Sequence, residues 1–76
     1  MNIQRRKRLQ KVYDILEQAR EELEEIREEE QEYIDNMPEN LQTSERYERS
    51  EEIISELDDV IYSLEEANDT LEDTYN

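Results

Sequence analysis

The sequence predicts an all-α protein, an antiparallel two-helix hairpin packed as a coiled coil. Three observations lead there. Apolar residues recur at alternating three- and four-residue intervals in both halves, the only Pro lies between the halves, and opposite charges meet when the chain is folded back on itself. The periodicity matters because composition alone points elsewhere. The 76 residues carry 24 Asp plus Glu against 9 Lys plus Arg, a net charge of −15, and 43% of them are charged. Such a chain approaches the composition of unfolded sequences, and only a continuous apolar face on each helix separates it from them.

The first helix is expected over residues 3–34. Its seam reads Leu9, Val12, Leu16, Ala19, Leu23 and Ile26, then Tyr33 and Met37, with one polar interruption at Glu30. The loop is expected over residues 35–43, within IDNMPENLQTSE, which holds Pro38 and the clustered turn formers. In a chain with no Gly, Asn36 is the residue best suited to a left-handed helix cap. Thr43 or Ser44 suits the N-cap of the second helix. That helix is expected over residues 44–74, with a seam of Tyr47, Ile54, Leu57, Ile61, Leu64, Leu71 and Tyr75 and polar Ser50 and Asn68 in phase. Each helix would be about 45 Å long at 1.5 Å per residue. The whole chain, 1–76, is one hairpin.

Register follows from the same residues. Pairing positions whose numbers sum to 80 sets Leu9 on Leu71, Leu16 on Leu64, Leu23 on Leu57, Glu30 on Ser50 and Tyr33 on Tyr47. It also sets Val12 on Asn68, a polar seam residue expected to fix register at some cost in stability. On one flank it brings together Arg6 with Glu72, Arg20 with Asp58 and Arg27 with Glu51, and places Tyr13 beside Glu65. Surface pairs of this kind contribute about 0–1 kcal/mol each, but in sum they select one pairing over others.

The opposite flank carries Ile15 from the first helix and Ile53, Val60 and Ala67 from the second. That strip is wider than a two-stranded coil requires, and a 76-residue hairpin has little core to spare. Something is expected to pack on it: a second copy, giving an antiparallel four-helix bundle, a groove or helix of another protein, or the loop through Met37 and Leu41. Tyr62 points outward and is a candidate contact residue.

Composition removes most chemistry. With no His, Cys or Gly, the chain offers no imidazole base, thiolate nucleophile, disulfide, Gly-rich phosphate loop or calcium loop of the twelve-residue type. Paired carboxylates would need a dry pocket to act as acid and base, and a hairpin supplies none. No enzyme activity, cofactor or metal is therefore expected. No apolar run approaches the about 18 residues of a membrane span. MNIQRRKRLQ has basic residues with no apolar stretch behind them, so no secretory signal is expected.

Charge is unevenly placed. Residues 1–11 hold Arg5, Arg6, Lys7, Arg8 and Lys11 and no acid, whereas residues 12–76 hold all 24 acids and four arginines, a net of −20. The hairpin is expected to set the basic stretch against Glu65, Glu66, Asp69, Glu72 and Asp73 and neutralise it there. Direct nucleic-acid binding by this stretch is disfavoured, because the surrounding field repels phosphate. Elsewhere Asp14, Glu21, Glu28 and Asp35 form an outward column at seven-residue spacing, and Asp59 and Glu66 extend the acidic face onto the second helix. Solubility needs far less charge than this. The surplus points to a protein partner with a basic surface, reached by electrostatic steering. Rows of carboxylates about 10 Å apart do not copy phosphate spacing closely, so imitation of nucleic acid is a loose fit. The rival expectation is a homo-oligomeric assembly protein whose acid only keeps it soluble.

Taken as a whole, RRKRLQKV through EEEQEYIDNMPENLQTSERYERSEEIISELDDVIYSLEEA resembles a group of short acidic hypothetical proteins of bacterial phages and integrated mobile elements. The most specific part is EEEQEYIDNMPENLQTSERYE. The resemblance carries over no functional residue. What it implies is a setting, the cytoplasm of a bacterial host, where small acidic phage proteins often bind and block a host protein. Nucleases of restriction or CRISPR defence are among such targets, and some of these phage proteins imitate DNA.

Overall fold

The computed structural model describes all 76 residues, and it is a helical hairpin. Helix α1 spans Ile3–Asp35 and helix α2 spans Glu45–Tyr75, joined through a single 3₁₀ turn at Glu39–Leu41. The molecule is a rod of 60 × 14 × 13 Å, one hairpin wide.

Both helices start at side-chain caps. Asn2 Oδ1 accepts from the Arg5 N–H at 2.8 Å, and Ser44 Oγ accepts from the Tyr47 N–H at 3.3 Å. Each cap satisfies one of the amides that a helix N-terminus leaves without a partner. The expected left-handed Asn36 is not found: its φ and ψ are −89° and 0°, and no residue in the chain has a positive φ. Proline does that work instead. Pro38 has no N–H to donate and disfavours helical backbone at Met37, so α1 stops without a left-handed residue. The Leu41 N–H then returns to the Pro38 carbonyl at 2.9 Å, and the Ser44 N–H to Leu41 at 3.0 Å.

The seam of α2 lies where its spacing placed it. Ser50, Ile54, Ile61, Asn68 and Tyr75 are buried, and Tyr47, Leu57, Leu64 and Leu71 are half-buried between them. The seam of α1 is turned by one residue in every second layer. Leu9, Leu16, Leu23, Glu30 and Met37 face inward as expected, but Tyr13, Arg20, Arg27 and Ile34 replace Val12, Ala19, Ile26 and Tyr33 as their companions. Val12, Ile26 and Tyr33 are 43%, 41% and 46% exposed, while Ala19 stays half-buried at the edge. Long amphipathic side chains explain the turn. Arg20 and Arg27 cover the seam with their aliphatic stems and keep their guanidinium groups at carboxylates, and Ile34 fills its layer with no hydroxyl to satisfy.

The turn shifts register by a single residue. Asn68 Nδ2 donates to the Tyr13 carbonyl at 3.2 Å, and Ser44 Oγ lies 4.0 Å from Met37 Sδ. The expected Tyr33–Tyr47 pair is absent because Tyr33 points outward. Tyr13, expected beside Glu65, instead meets Tyr75 edge to face, with centroids 6.1 Å apart and planes at 88°.

The expected flank pairs Arg6–Glu72, Arg20–Asp58 and Arg27–Glu51 do not form. Arg27 Nε binds Asp58 Oδ1 at 2.8 Å, two turns beyond Glu51 along α2. Side chains on a helix lean toward their own N-terminus, which in an antiparallel pair carries Arg27 toward higher numbers on α2. Nor does the basic stretch pair with the acids beside it. Arg5, Arg6, Lys7, Arg8 and Lys11 form no ion pair, so the expected neutralisation by direct contact is not realised. Exposed side chains of this length gain too little from such pairing to be ordered by it.

Asn68 is 2% exposed, and its Oδ1 has no hydrogen-bond donor. Replacing it removes a buried polar group that is only half satisfied, while the Tyr13 carbonyl keeps its place in the helix ladder. Asn68→Leu is expected to raise unfolding free energy by about 1–3 kcal/mol. Ser44→Ala is expected to lower it by about 1 kcal/mol through loss of the α2 cap. Urea denaturation followed by circular dichroism checks both, and a destabilised Asn68→Leu would refute this account of the seam.

Candidate functional site

The grooves of this fold are open to water, and the surfaces it presents are the long faces of the rod. At 100° per residue, Val12, Ile26 and Tyr33 lie about a quarter-turn from the buried line of α1, and Ile15 somewhat over a third of a turn from it on the same side. On α2, Ile53, Val60 and Ala67 lie at a comparable angle from its buried line and, because the helices are antiparallel, on the same side of the hairpin. Ile15 and Val60 are exposed, as is Ala67, and Ile53 is half-buried. Ile15, Ile53, Val60 and Ala67 thus lie on one side of the hairpin, and Val12, Ile26 and Tyr33 share that side. Their signal was present in the sequence as a second line at three- and four-residue spacing, adjacent to the first.

The other flank is acidic on both helices. Asp14, Glu21, Glu28 and Asp35 are all exposed on α1. Their column drifts by about 20° per heptad because an α-helix has slightly more than 3.5 residues per turn. Glu21, Glu24, Glu25, Glu28, Glu29 and Glu32 line an open trough of about 400 Å³ with no basic or apolar member. Asp59 and Glu66 are exposed on the outer face of α2. Tyr62 is 61% exposed and is turned toward the acidic side, away from the Val60 strip. The neighbouring Glu66 carboxylate raises its phenol above the usual tyrosine range, with smaller contributions from burial and Glu65. Tyr62 therefore does not share a surface with Ile15, Ile53, Val60 and Ala67.

A polar cluster missed at the sequence level links the acidic flank to the seam. Asn68 Nδ2 donates to Glu17 Oε1 at 2.9 Å, Arg20 donates to Glu17 Oε2 at 2.9 Å, and Arg20 also donates to Glu24 Oε1 at 2.8 Å. Arg20 and then Asn68 hold the Glu17 carboxyl below the ordinary carboxylate range, against a smaller opposing effect of burial. Glu17 in return holds the Arg20 guanidinium charged. Arg20 was expected to cross to Asp58, and only its spacing to Glu17 and Glu24, three and four residues away, could have signalled otherwise. Arg49 forms a similar exposed fork with Glu52 at 3.0 Å and Glu56 at 3.4 Å.

No three acidic side chains converge closely enough to hold a metal ion. No helix is long and apolar enough to cross a membrane. Comparison with protein-family models, curated proteins and solved structures finds no match.

Two responses follow from these charges. The Glu17 carboxyl titrates below its unfolded value, so its contribution to stability is present above that unfolded value and is lost as pH falls through the folded one. Glu17→Gln is expected to flatten the acid limb of a stability–pH curve, and an unchanged limb would remove Glu17 from the account. Separately, raising NaCl from about 0.05 to about 0.5 M shortens the Debye length to a few Å and screens the surplus acid. Melting temperature is expected to rise with salt, whereas a fall would mean that the attractive pairs outweigh the repulsion.

Proposed function

We propose that this chain is a small acidic interaction protein that binds and blocks a basic, nucleic-acid-binding surface of another protein, with no catalytic role of its own. The carboxylate trough on α1 carries the reading. Six carboxylates between Glu21 and Glu32 occupy about 16 Å of helix rise; with Glu24 and Glu28 paired to Arg20 and Arg27, the rest amount to one unpaired charge per about 4 Å. A nucleic acid strand presents one phosphate per 3.4 Å. The trough is thus far closer to phosphate density than the single seven-residue column. A site built to hold a phosphate backbone would meet a comparable line of charge on a stiff helix, and long-range attraction would speed the encounter.

The setting proposed is that of a phage or mobile element within a bacterial cell, with a defence nuclease as the class of target. A DNA-imitating inhibitor fits that class. The second reading, a homo-oligomeric assembly protein without inhibitory action, is favoured by the exposed apolar flank around Ile15 and Val60.

Charge reversal separates the two. Glu21→Lys combined with Glu28→Lys leaves the seam untouched, because both residues are exposed. With tagged protein in bacterial lysate, the reading expects capture of nucleic-acid-binding proteins at low salt, release by added duplex DNA, and at least tenfold weaker capture by the double variant. Capture that neither duplex DNA nor the double reversal affects would exclude the electrostatic reading.

A further inference from the structure

We infer that a second copy of this chain covers the apolar flank, crossing it antiparallel so that α1 lies on α1 and α2 lies on α2 about a two-fold axis perpendicular to the rod. The apolar residues are placed for such an axis. On α1, Ile15 and Ile26 are equidistant from the point between Arg20 and Glu21, as are Arg8 and Tyr33. On α2, Ile53 and Ala67 are equidistant from Val60, which would meet its own counterpart at the axis. The hairpin register, fixed by Asn68 against Tyr13 and Ser44 against Met37, brings these two centres to the same level of the rod. One two-fold axis therefore serves both helices. Without that agreement, pairing one helix with its copy would leave the other out of step.

The ends of the rod supply a second, independent fit. An open apolar groove of about 440 Å³ lies at the start of α1, lined by Met1, Arg5, Arg8, Leu9, Lys11 and Val12. The same axis brings Tyr33 of the second copy to the level of Arg8 and so to this groove. Tyr33 is the large exposed aromatic of α1, and Arg8 would stand over its ring. Arg5, Arg8 and Lys11, which bind no acid of their own chain, would then run alongside the Glu29–Asp35 stretch of the copy.

Charge also decides between the two ways of covering the flank. A two-fold axis parallel to the helices would join the two loop ends, where α1 and α2 are both acidic. The perpendicular axis joins each loop end to the end that carries the basic stretch. Glu21, Glu24, Glu25 and Glu28 of the trough face away from the apolar flank and stay open in the dimer, whereas Glu29 lies on the line of Ile15 at its edge. Charge reversal at Glu21 and Glu28 therefore leaves the dimer contact untouched, so loss of partner capture in that variant and failure of the dimer are distinguishable.

Cysteine crosslinking tests it cleanly, because the chain has no cysteine. Light scattering on the full chain is expected to give twice the 9.3 kDa chain mass, and Val60→Cys is expected to form an intermolecular disulfide on mild oxidation. Tyr62→Cys, on the acidic side, is expected to stay reduced under the same conditions. Val60→Glu and Tyr33→Ala change exposed residues and should keep their helical circular dichroism while weakening dimerisation at least tenfold. A 9.3 kDa species at every concentration overturns the inference. So does a dimer in which Val60→Cys crosslinks no faster than Tyr62→Cys, which would place the second copy elsewhere or along the parallel axis.

Discussion

The seam between α1 and α2 is the only surface this chain buries within itself, and it must hold together two helices that repel each other. Six residues are buried, two of them polar, so the hydrophobic contribution is modest for a net charge of −15. The chain answers this in two ways. It spends three of its four arginines beyond Lys11 on carboxylates, where they soften repulsion at the seam edge and along the outer faces. It also stretches the buried line over the full length of both helices, so each layer needs to contribute only a little. Asn68 is the point of tension in that scheme. It ties α2 to the Tyr13 carbonyl and to Glu17, and leaves one buried oxygen without a donor.

The hairpin, its single loop, the α2 seam and the Ser44 cap were legible in the sequence, because each rests on spacing or on one residue's backbone chemistry. The rotation of α1 was not. Leu9, Leu16 and Leu23 are shared by two overlapping apolar lines, one through Val12, Ala19 and Ile26 and one through Tyr13, Arg20 and Arg27. Hydropathy alone selects the first. The helix selects the second, because arginine and tyrosine bring long apolar bodies with polar ends, and ranking residues by hydropathy hides those bodies. The ion pairs were misplaced for a related reason: residue numbers give the level of each Cα, whereas charged heads reach one turn away from it. Of the candidate surfaces, the acidic residues and the Ile15–Val60 strip were visible as patterns. The Glu17–Arg20–Asn68 cluster was hidden because it joins an in-helix pair to a residue 51 positions distant.

Turning α1 also explains why the hairpin has two unlike flanks. With Tyr13, Arg20 and Arg27 drawn inward, Val12, Ile26 and Tyr33 are left on the side already occupied by Ile15 and Val60. The Asp14, Glu21, Glu28 and Asp35 column of α1 is swung to the opposite side. One rotation of a single helix thus separates a surface suited to association from a surface suited to attracting positive charge. A protein of this size can present both only because neither interrupts the other along the rod.

The connection between the helices has a different kind of consequence. Every residue from Asn36 to Ser44 has backbone angles that any L-amino acid can adopt, and the turn is made by a proline, a 3₁₀ hydrogen bond and a serine cap. Nothing in it depends on glycine or on a rare conformation. Loop closure grows costlier only slowly with length. The demands the connection makes are therefore those of Pro38, the Ser44 cap and its length, which sets Met37 against Ser44, and its remaining positions are open to other side chains.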